Sequence, residues 1–318
     1  MSIESDVRAL ATDDGRGVGT EGHRVARKYI YSRLSTLGVE PYLPQGFEAE
    51  YQCEGQDFCN LLAMVSGRDR SQAPVLLGAH YDTCGDIPGA DDNAAAVAVL
   101  LDVAARMAAR PPVRSVVFGF FDAEEPPYFL SPSMGSVRFY EDQRVGDIHC
   151  AVIMDLVGHD VPAPGLEDLL FVTGMESNRE LGEVIESCPA NPAIRILPIS
   201  NGYVGDMSDH HVFRINKVPY IFLSCGIWPH YHQYTDTPEK LNYGKIEGIA
   251  KYLEGITEAI SGKGLAGEFE GYDSTGIEIG FIQDILLPVV AGMGVSLNVE
   301  TRQDIDSLVG MMRDRFGI

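Results

Sequence analysis

The chain has 318 residues, 45% of them hydrophobic, which suffices for one large globular domain or two modest ones with a full core. Its formal net charge is -22, from 24 Lys and Arg against 46 Asp and Glu. Nucleic acid is excluded as a partner, because phosphate recognition needs clustered basic side chains. The acidity favours solubility, and the alternative is a field that attracts cations or positively charged amino groups.

The N-terminal segment has no basic region followed by an apolar stretch, and no window reaches the roughly 18 apolar residues of a membrane span. The six cysteines are scattered without CxxC spacing, so reduced thiols are expected, although Cys53 and Cys59 could pair. We therefore expect a cytoplasmic chain that does not contact a membrane. A leader preceding this sequence would instead allow secretion.

The first element is an amphipathic helix in "GHRVARKYIYSRLSTLGVE", where Ala26, Ile30, Leu34 and Leu37 share one face and Gly38 ends it. Apolar, β-like runs then recur, several of them apolar on both faces, as strands covered on both sides are. They cover residues 60–65, 73–79, 113–121, 150–157, 169–174, 193–199 and 218–224, with helices near 91–109, 177–187, 206–214 and 239–261. This pattern predicts an α/β fold, a three-layer α/β/α sandwich around a mixed, mostly parallel sheet.

The composition turns glycine-rich and polar after residue 262, in "SGKGLAGEFEGYDSTG". Two apolar segments follow, and the second reads as a helix with Thr301 as its N-cap. We therefore divide the chain into residues 1–262, the catalytic domain, and residues 263–318, a helical C-terminal extension. The extension is expected to pack on the body or to form an oligomer contact.

Polar side chains stand where the apolar runs end, most clearly in "LLGAHYDTCGDIPGADDNAAAVAVLL", residues 76–101. Burying a carboxylate or an imidazole costs several kcal/mol unless it is paired or bound to a cation. His80 ends a strand, Asp82 follows on the same side, and Asp91 begins the next helix. Asp82 could therefore accept a hydrogen bond from His80 and fix its tautomer, as partners of metal-binding histidines do.

Two further strands end in acidic residues, since "SVVFGFFDAEE" leads to Glu124 and Glu125 and "AVIMD" leads to Asp155. Open α/β sheets bind ligands beyond the carboxyl ends of their strands. A late loop, "IWPHYHQYTDTPEK", adds His230 and His232. The combined set, consisting of His80, Asp91, Glu125, Asp155 and His232, has the nitrogen and oxygen ligands that zinc takes, and one bridging carboxylate could hold two ions.

The motifs "GAHYDT", "PGADDNAAAVAVLLDVA", "FFDAEEP", "MDLVG", "SDHHVF" and "YHQYTDTPEK", in that order, resemble the co-catalytic di-zinc aminopeptidases of the bacterial leucyl aminopeptidase type. The resemblance covers roughly residues 15–262 and implies the zinc exopeptidase fold, which is phosphorylase/hydrolase-like. It implies two zinc ions per chain, one held by His80 and Asp155 and the other by Glu125 and His232. It also implies Asp91 as the bridging ligand, Glu124 as general base, Asp82 as the partner orienting His80, and Tyr231 as a donor to the tetrahedral intermediate.

The resemblance implies a metallo-aminopeptidase that hydrolyses the N-terminal peptide bond of peptides with a free N-terminus, using water activated by two zinc ions. The chain departs from the common pattern in "EEPPYFLSPSMGS", where an insertion follows the Glu124-Glu125 pair, and in its long C-terminal segment. These departures leave the substrate preference and the quaternary structure open, a homo-oligomer included.

Three other functions deserve comparison with this one. A glutaminyl cyclase, an acyltransferase on a closely similar fold, works with one zinc ion and keeps "TDS"-like residues where this chain has Asp91-Asp92-Asn93. Carboxypeptidases and deacylases of a related family insert a lid domain, but the 77 positions from Asp155 to His232 are already filled by strands and helices. A receptor-like binding module without metal is disfavoured because all the ligand-type residues and the base are present.

Overall fold

A mixed sheet with helices on both faces organises the molecule in this computed structural model. The structure describes residues 1–292, 294 and 296–316, the side chains of 315 and 316 excepted. The remaining residues of the predicted extension (293, 295, 317 and 318) lie outside the described residues.

Nine strands form one sheet within the described part of the chain. They are β1 Glu40–Pro41, β2 Glu48–Cys53, β3 Gln56–Val65, β4 Val75–His80, β5 Val116–Phe121, β6 Cys150–Met154, β7 Leu169–Thr173, β8 Arg195–Pro198 and β9 Tyr220–Ser224. The order is β1-β3-β5-β4-β6-β9-β7-β8, with β2 also paired to β3. The central strands β5, β4, β6 and β9 are mutually parallel, so their carboxyl ends meet at one edge.

The sheet is less parallel than the sequence suggests, because antiparallel pairing surrounds the parallel centre. Strand β3 is antiparallel to β1, β2 and β5, and β7 is antiparallel to β9, while β7 and β8 run parallel. The predicted α/β class with a mixed sheet and flanking helices is confirmed.

The helices begin and end as follows: α1 Ile3–Leu10, α2 Glu21–Leu34, α3 Ala95–Ala109, α4 Gly135–Arg138, α5 Arg179–Ser187, α6 His210–Ile215, α7 Tyr243–Gly262, α8 Thr275–Phe281, α9 Leu287–Gly292 and α10 Arg302–Phe316. Neighbouring residues of a strand point to opposite faces, so the sheet has a core on each side. Leu77 of β4 packs in the core that includes α3 and α7, whereas Leu76 packs with Phe139 and with Phe213 of α6. This arrangement gives the three layers.

Several elements were not predicted from the sequence, among them helix α1 and strand β2. Helix α1 starts after Ser2, whose hydroxyl accepts a hydrogen bond from the Ser5 N–H at 3.2 Å. Strand β2 alternates buried and exposed residues, and its pairing with β3 supplies the partner that its short sequence cannot reveal.

The described residues of the C-terminal extension pack on the body. Ile282, Leu286, Ile305 and Leu308 are at most 4% exposed and belong to the main core. Helix α10 begins after Thr301, whose hydroxyl accepts from the Asp304 N–H at 3.2 Å. An oligomer contact through this extension stays a prediction.

The helical segment Thr275–Gly292 is long and apolar enough to cross a membrane, judged by length and composition only. The expectation that no segment meets this criterion is therefore wrong. Such a segment is weak evidence for membrane contact, because core helices of soluble proteins meet the same criterion. The cytoplasmic location stays a prediction.

All six cysteines are free thiols, so Cys53 and Cys59 are not paired.

Candidate active site

The parallel strands bring a cluster of histidine and carboxylate side chains to one edge of the sheet. His80 is the last residue of β4, and Nε2 of its ring lies 3.3 Å from Oδ1 of Asp92 and 3.5 Å from Oδ1 of Asp155, which follows β6. Nε2 of His232 lies 3.2 Å from Oδ2 of Asp92 and 3.0 Å from Oε2 of Glu125. Four of the five predicted ligands therefore converge.

The fifth predicted ligand, Asp91, does not join this cluster, and Asp92 takes its place. Oδ1 of Asp91 accepts hydrogen bonds from the N–H groups of Gly158 at 2.6 Å and His159 at 3.1 Å, and Oδ2 lies 2.7 Å from Nδ1 of His159. Both oxygens of Asp91 are thus occupied, and the prediction of Asp91 as the bridging ligand is wrong in this geometry. Asp91 and Asp92 are consecutive, and the direction of the backbone decides which of the two carboxylates faces the histidines.

The turn Ala90–Ala94 explains how the two neighbours diverge. Asp92 has non-helical backbone angles, φ -110° and ψ 87°, whereas α3 continues as a regular helix from Ala95. The carboxylate of Asp236 accepts from the N–H groups of Asp91 at 2.9 Å and Asp92 at 3.1 Å. This holds the turn in the form that directs Asp92 toward the two histidines.

Asp82 lies behind His80, where the sequence places it. Its Oδ1 is 3.3 Å from Nδ1 of His80, and its two oxygens accept from the N–H groups of Glu124 at 3.1 Å and Glu125 at 3.0 Å. Burial raises the pKa of Asp82, but contact with His80 and these backbone donors outweighs it and holds the pKa below its usual value. One anionic side chain therefore positions both the histidine and the Glu124-Glu125 segment.

The cluster fits a metal centre by its unsatisfied atoms. Within the described residues, the following buried atoms lack a hydrogen-bond partner: Nε2 of His80, Oδ2 of Asp92, Oε1 of Glu125, Oδ1 of Asp155 and Nε2 of His232. Buried polar atoms normally have partners, so a converging set of histidine nitrogens and carboxylate oxygens without them fits the binding of a cation. Imidazole nitrogens and carboxylate oxygens are ligands of zinc.

Glu124 lies beside the cluster, with Oε2 3.8 Å from Nε2 of His80 and the residue 5% exposed. Burial raises its pKa well above the usual value, and nearby Asp155 and Glu125 raise it further, while His80 acts in the opposite direction. A bound cation would lower this pKa. Since its pKa depends on burial and on nearby charges, the Glu124 carboxyl group is suited to accept and donate a proton as a general acid–base catalyst.

Three non-glycine residues at the cluster have left-handed backbone conformations: Ala123 at φ 56°, Leu156 at φ 54° and His232 at φ 53°. Ala123 precedes Glu124, and Leu156 follows Asp155. Such conformations cost on the order of 1–3 kcal/mol each and persist only where surrounding contacts enforce them. The backbone is therefore strained at the positions that aim the polar side chains.

The loop that carries His232 also contains Tyr231, whose ring stacks on that of His232 with centroids 3.8 Å apart. Burial raises the pKa of Tyr231, so its hydroxyl stays protonated and can donate. His230 is outside the cluster, since its Nδ1 lies 2.7 Å from Oγ1 of Thr235 in an exposed contact.

Arg16 is a residue of the site region that sequence reasoning missed. It is 1% exposed and donates to the carbonyl oxygens of Tyr81 at 2.7 Å, Pro88 at 2.7 Å and Gly89 at 2.9 Å. Burial lowers the pKa of Arg16 to about 10, against the opposing effect of Asp92 and other acidic groups. It joins both ends of the loop between His80 and Asp92, and no local motif marks it.

A family model described as Peptidase family M28 matches residues 60–256. All six motifs singled out above lie within this range. Of the curated proteins, the uncharacterized protein YfbL of Escherichia coli K12 is 25% identical over 212 residues, which cover 57% of this chain and 64% of YfbL. The endoplasmic reticulum metallopeptidase 1 of Mus musculus is 26% identical over 211 residues, covering 64% of this chain and 22% of that protein. The chain thus spans less than two thirds of these relatives.

Solved structures share the fold at low sequence identity. LapB from Legionella pneumophila superposes with a TM-score of 0.67 at 18% identity, covering 82% of this chain and 72% of LapB. A glutaminyl cyclase from Tannerella forsythia has a TM-score of 0.65 at 18% identity, covering 81% and 97%. A Zn-dependent exopeptidase from Parabacteroides distasonis has a TM-score of 0.64 at 18% identity, covering 82% and 97%. These likenesses confirm the fold and leave the choice of reaction to the site.

Proposed function

The chain belongs to Peptidase family M28, and from this premise we propose that it is a zinc-dependent aminopeptidase that removes the N-terminal residue of peptides. The observation that carries the proposal is the carboxylate of Asp92, whose oxygens face His80 at 3.3 Å and His232 at 3.2 Å. A carboxylate shared by two histidine-containing ligand sets is suited to a pair of ions. In this proposal His80 and Asp155 would hold one zinc ion, Glu125 and His232 would hold the other, and Asp92 would be a ligand of both.

Zinc, when bound there, would polarise the scissile carbonyl and would lower the pKa of water toward neutral pH. The chain's own residues supply the proton transfers and the alignment. Glu124 takes the proton of the attacking water and delivers it to the leaving amine. Asp82 keeps His80 and the backbone of Glu124 and Glu125 in place, and the hydroxyl of Tyr231 donates to the developing oxyanion.

The substrate's free amino end supplies the selectivity for exopeptidase cleavage. Glu124 and Asp155 contribute carboxyl groups at the cluster. Asp209, which interacts electrostatically with His80 and Asp155, is fully buried, and its two oxygens lack hydrogen-bond partners within the described residues. These carboxyl groups can accept hydrogen bonds from an amine and, where they are ionised, attract an ammonium, whereas an acetylated nitrogen carries no charge. Anchoring the amine positions the first peptide bond at the metal centre, so blocking it costs turnover as well as affinity.

The second candidate is a single-zinc glutaminyl cyclase. Asp92 between two histidines favours a two-ion site, and therefore the aminopeptidase. The two reactions also differ in product, because a cyclase releases ammonia from a glutaminyl peptide without cleaving a peptide bond.

The test combines metal analysis of protein purified without chelator with assays on three substrates. We expect close to two zinc ions per chain, hydrolysis of an aminoacyl chromogenic amide, and strongly reduced hydrolysis of its N-acetylated form. Equal rates on the two amides would contradict the exopeptidase assignment, and faster cleavage of the acetylated form would indicate a deacylase. One zinc ion with cyclisation of a glutaminyl peptide would support the second candidate.

A further inference from the structure

A largely apolar cavity of about 380 Å³ opens beside the candidate active site. Asp155, a proposed zinc ligand, and Tyr231 both line it. Its volume lies within the range of pockets that bind small molecules or single side chains of larger ligands. A group held at the metal centre therefore has direct access to this cavity.

The C-terminal extension supplies part of the cavity wall. Leu286, which precedes α9, and Leu308, Val309 and Met312 of α10 all line the cavity. These residues lie outside the range 60–256 that the family model matches. The cavity is therefore built jointly by the family's shared core and by a segment that this match does not include.

Polar contacts hold this wall against the body. Arg302, the first residue of α10, donates to both carboxylate oxygens of the fully buried Glu278, at 2.6 Å and 2.7 Å. Glu278 also accepts from the Ser200 N–H at 3.1 Å, and the hydroxyl of Tyr203 donates to Asp306 at 2.6 Å. Glu278 is fully buried whereas the Arg302 side chain is 36% exposed, so the loss of Arg302 would leave a buried carboxylate without its charged donor. These contacts tether the start of α10 to the body.

We propose that this cavity receives the side chain of the substrate's N-terminal residue and that α10, through Met312 and Leu308, gives the enzyme a preference for large apolar side chains. The proposal rests on the proposed function, because the side chain next to the cleaved bond must lie beside the metal centre. Apolar walls favour large aliphatic and aromatic side chains and disfavour polar ones, which would lose hydrogen bonds to water without replacement. The specificity of this chain is thus set partly by its extension.

Two adjacent methionines of α10 provide a matched test. Both are half-buried, but only Met312 lines the cavity, whereas Met311 is absent from its described lining. The ratio of kcat/KM for a phenylalanyl amide to that for an alanyl amide is measured in the wild type, Met312→Ala and Met311→Ala. Shortening an apolar wall by a few methylenes should lower this ratio about tenfold or more in Met312→Ala, with no comparable change in Met311→Ala.

A second measurement separates this inference from the proposed function. Calorimetric binding of free L-phenylalanine and L-alanine to the full chain, loaded with zinc, needs no turnover. If no amide is hydrolysed, the aminopeptidase assignment fails, yet tighter binding of phenylalanine that only Met312→Ala weakens would still support the pocket. Unchanged selectivity in Met312→Ala, or equal effects of the two variants, would overturn the role of α10. Melting temperatures of both variants show whether α10 remains docked.

Discussion

Asp91 and Asp92 are adjacent in the chain, but their carboxylates have different partners. Asp91 accepts from the N–H groups of Gly158 and His159, whereas Asp92 lies 3.3 Å from His80 and 3.2 Å from His232. One residue therefore supports the backbone, and its neighbour faces the candidate metal centre.

This difference predicts that a matched pair of variants will lose different properties, one its zinc and the other its stability. Asp92→Asn should lose bound zinc and nearly all activity, because an amide is a poor ligand and cannot bridge two cations. Asp91→Asn should retain more zinc but lower the free energy of unfolding by about 1–3 kcal/mol, since buried N–H groups lose a charged acceptor. Metal analysis and urea unfolding measure both. Equal loss of zinc in the two variants would contradict the assignment.

The Glu124-Glu125 pair predicts a second separation of roles. Glu124→Gln should keep its metal but lose turnover by a factor of about 10²–10⁴, the range for a general base. Glu125→Gln should weaken zinc binding, because Glu125 lies 3.0 Å from His232 in the cluster. Metal content and single-turnover rates at saturating zinc distinguish the two effects. If Glu124→Gln lost metal as fully as Glu125→Gln, the assignment of base and ligand would be wrong.

Arg16→Met should destabilise the protein even without metal. The guanidinium is buried, and its removal leaves the carbonyl oxygens of Tyr81, Pro88 and Gly89 without their charged donor. Hydrogen bonds to charged groups contribute about 1.5–3 kcal/mol, and buried unpaired acceptors add to the loss. Urea unfolding of the zinc-free protein checks this. The control is Arg24→Met, since Arg24 forms an exposed pair with Glu21 and should change stability by no more than about 0.5 kcal/mol.

His210 predicts a pH dependence of stability away from the proposed ligands. Burial lowers the pKa of this histidine to about 4, and only weaker effects, the Gly205 carbonyl and Asp206, act in the other direction. In the unfolded chain this histidine has a pKa of about 6.5 and is protonated as the pH falls below that value. In the folded chain it is protonated only near pH 4. The folded state therefore loses about 3 kcal/mol from this residue between pH 6.5 and pH 4.

The measurement is the difference in unfolding free energy between the wild type and His210→Gln, followed from pH 7.5 to pH 4. This difference cancels the titration of groups that both proteins share, including Asp209, whose pKa is raised to about 7 by burial. The wild type should lose stability relative to the variant as the pH falls, and parallel curves would show that His210 is not the cause.

Much of the site was predictable because strand ends are readable in the sequence. His80, Glu125 and Asp155 follow or end apolar runs, and parallel strands must bring their carboxyl ends to one edge. The family resemblance drawn from the motifs is confirmed by the family match over residues 60–256. The proposed roles of Glu124, Tyr231 and the ligands, two zinc ions included, stay predictions.

The sequence by itself determined the α/β class, the family and the strand ends that carry the polar residues, because hydrophobic periodicity and motif order are local properties of the chain. Only the tertiary structure decided between Asp91 and Asp92, since that choice depends on backbone angles within one turn and on the distant carboxylate of Asp236. It also placed Arg16 beneath the loop and α10 beside the cavity. These contacts join residues far apart in the chain, and their formation depends on packing, which no local pattern encodes.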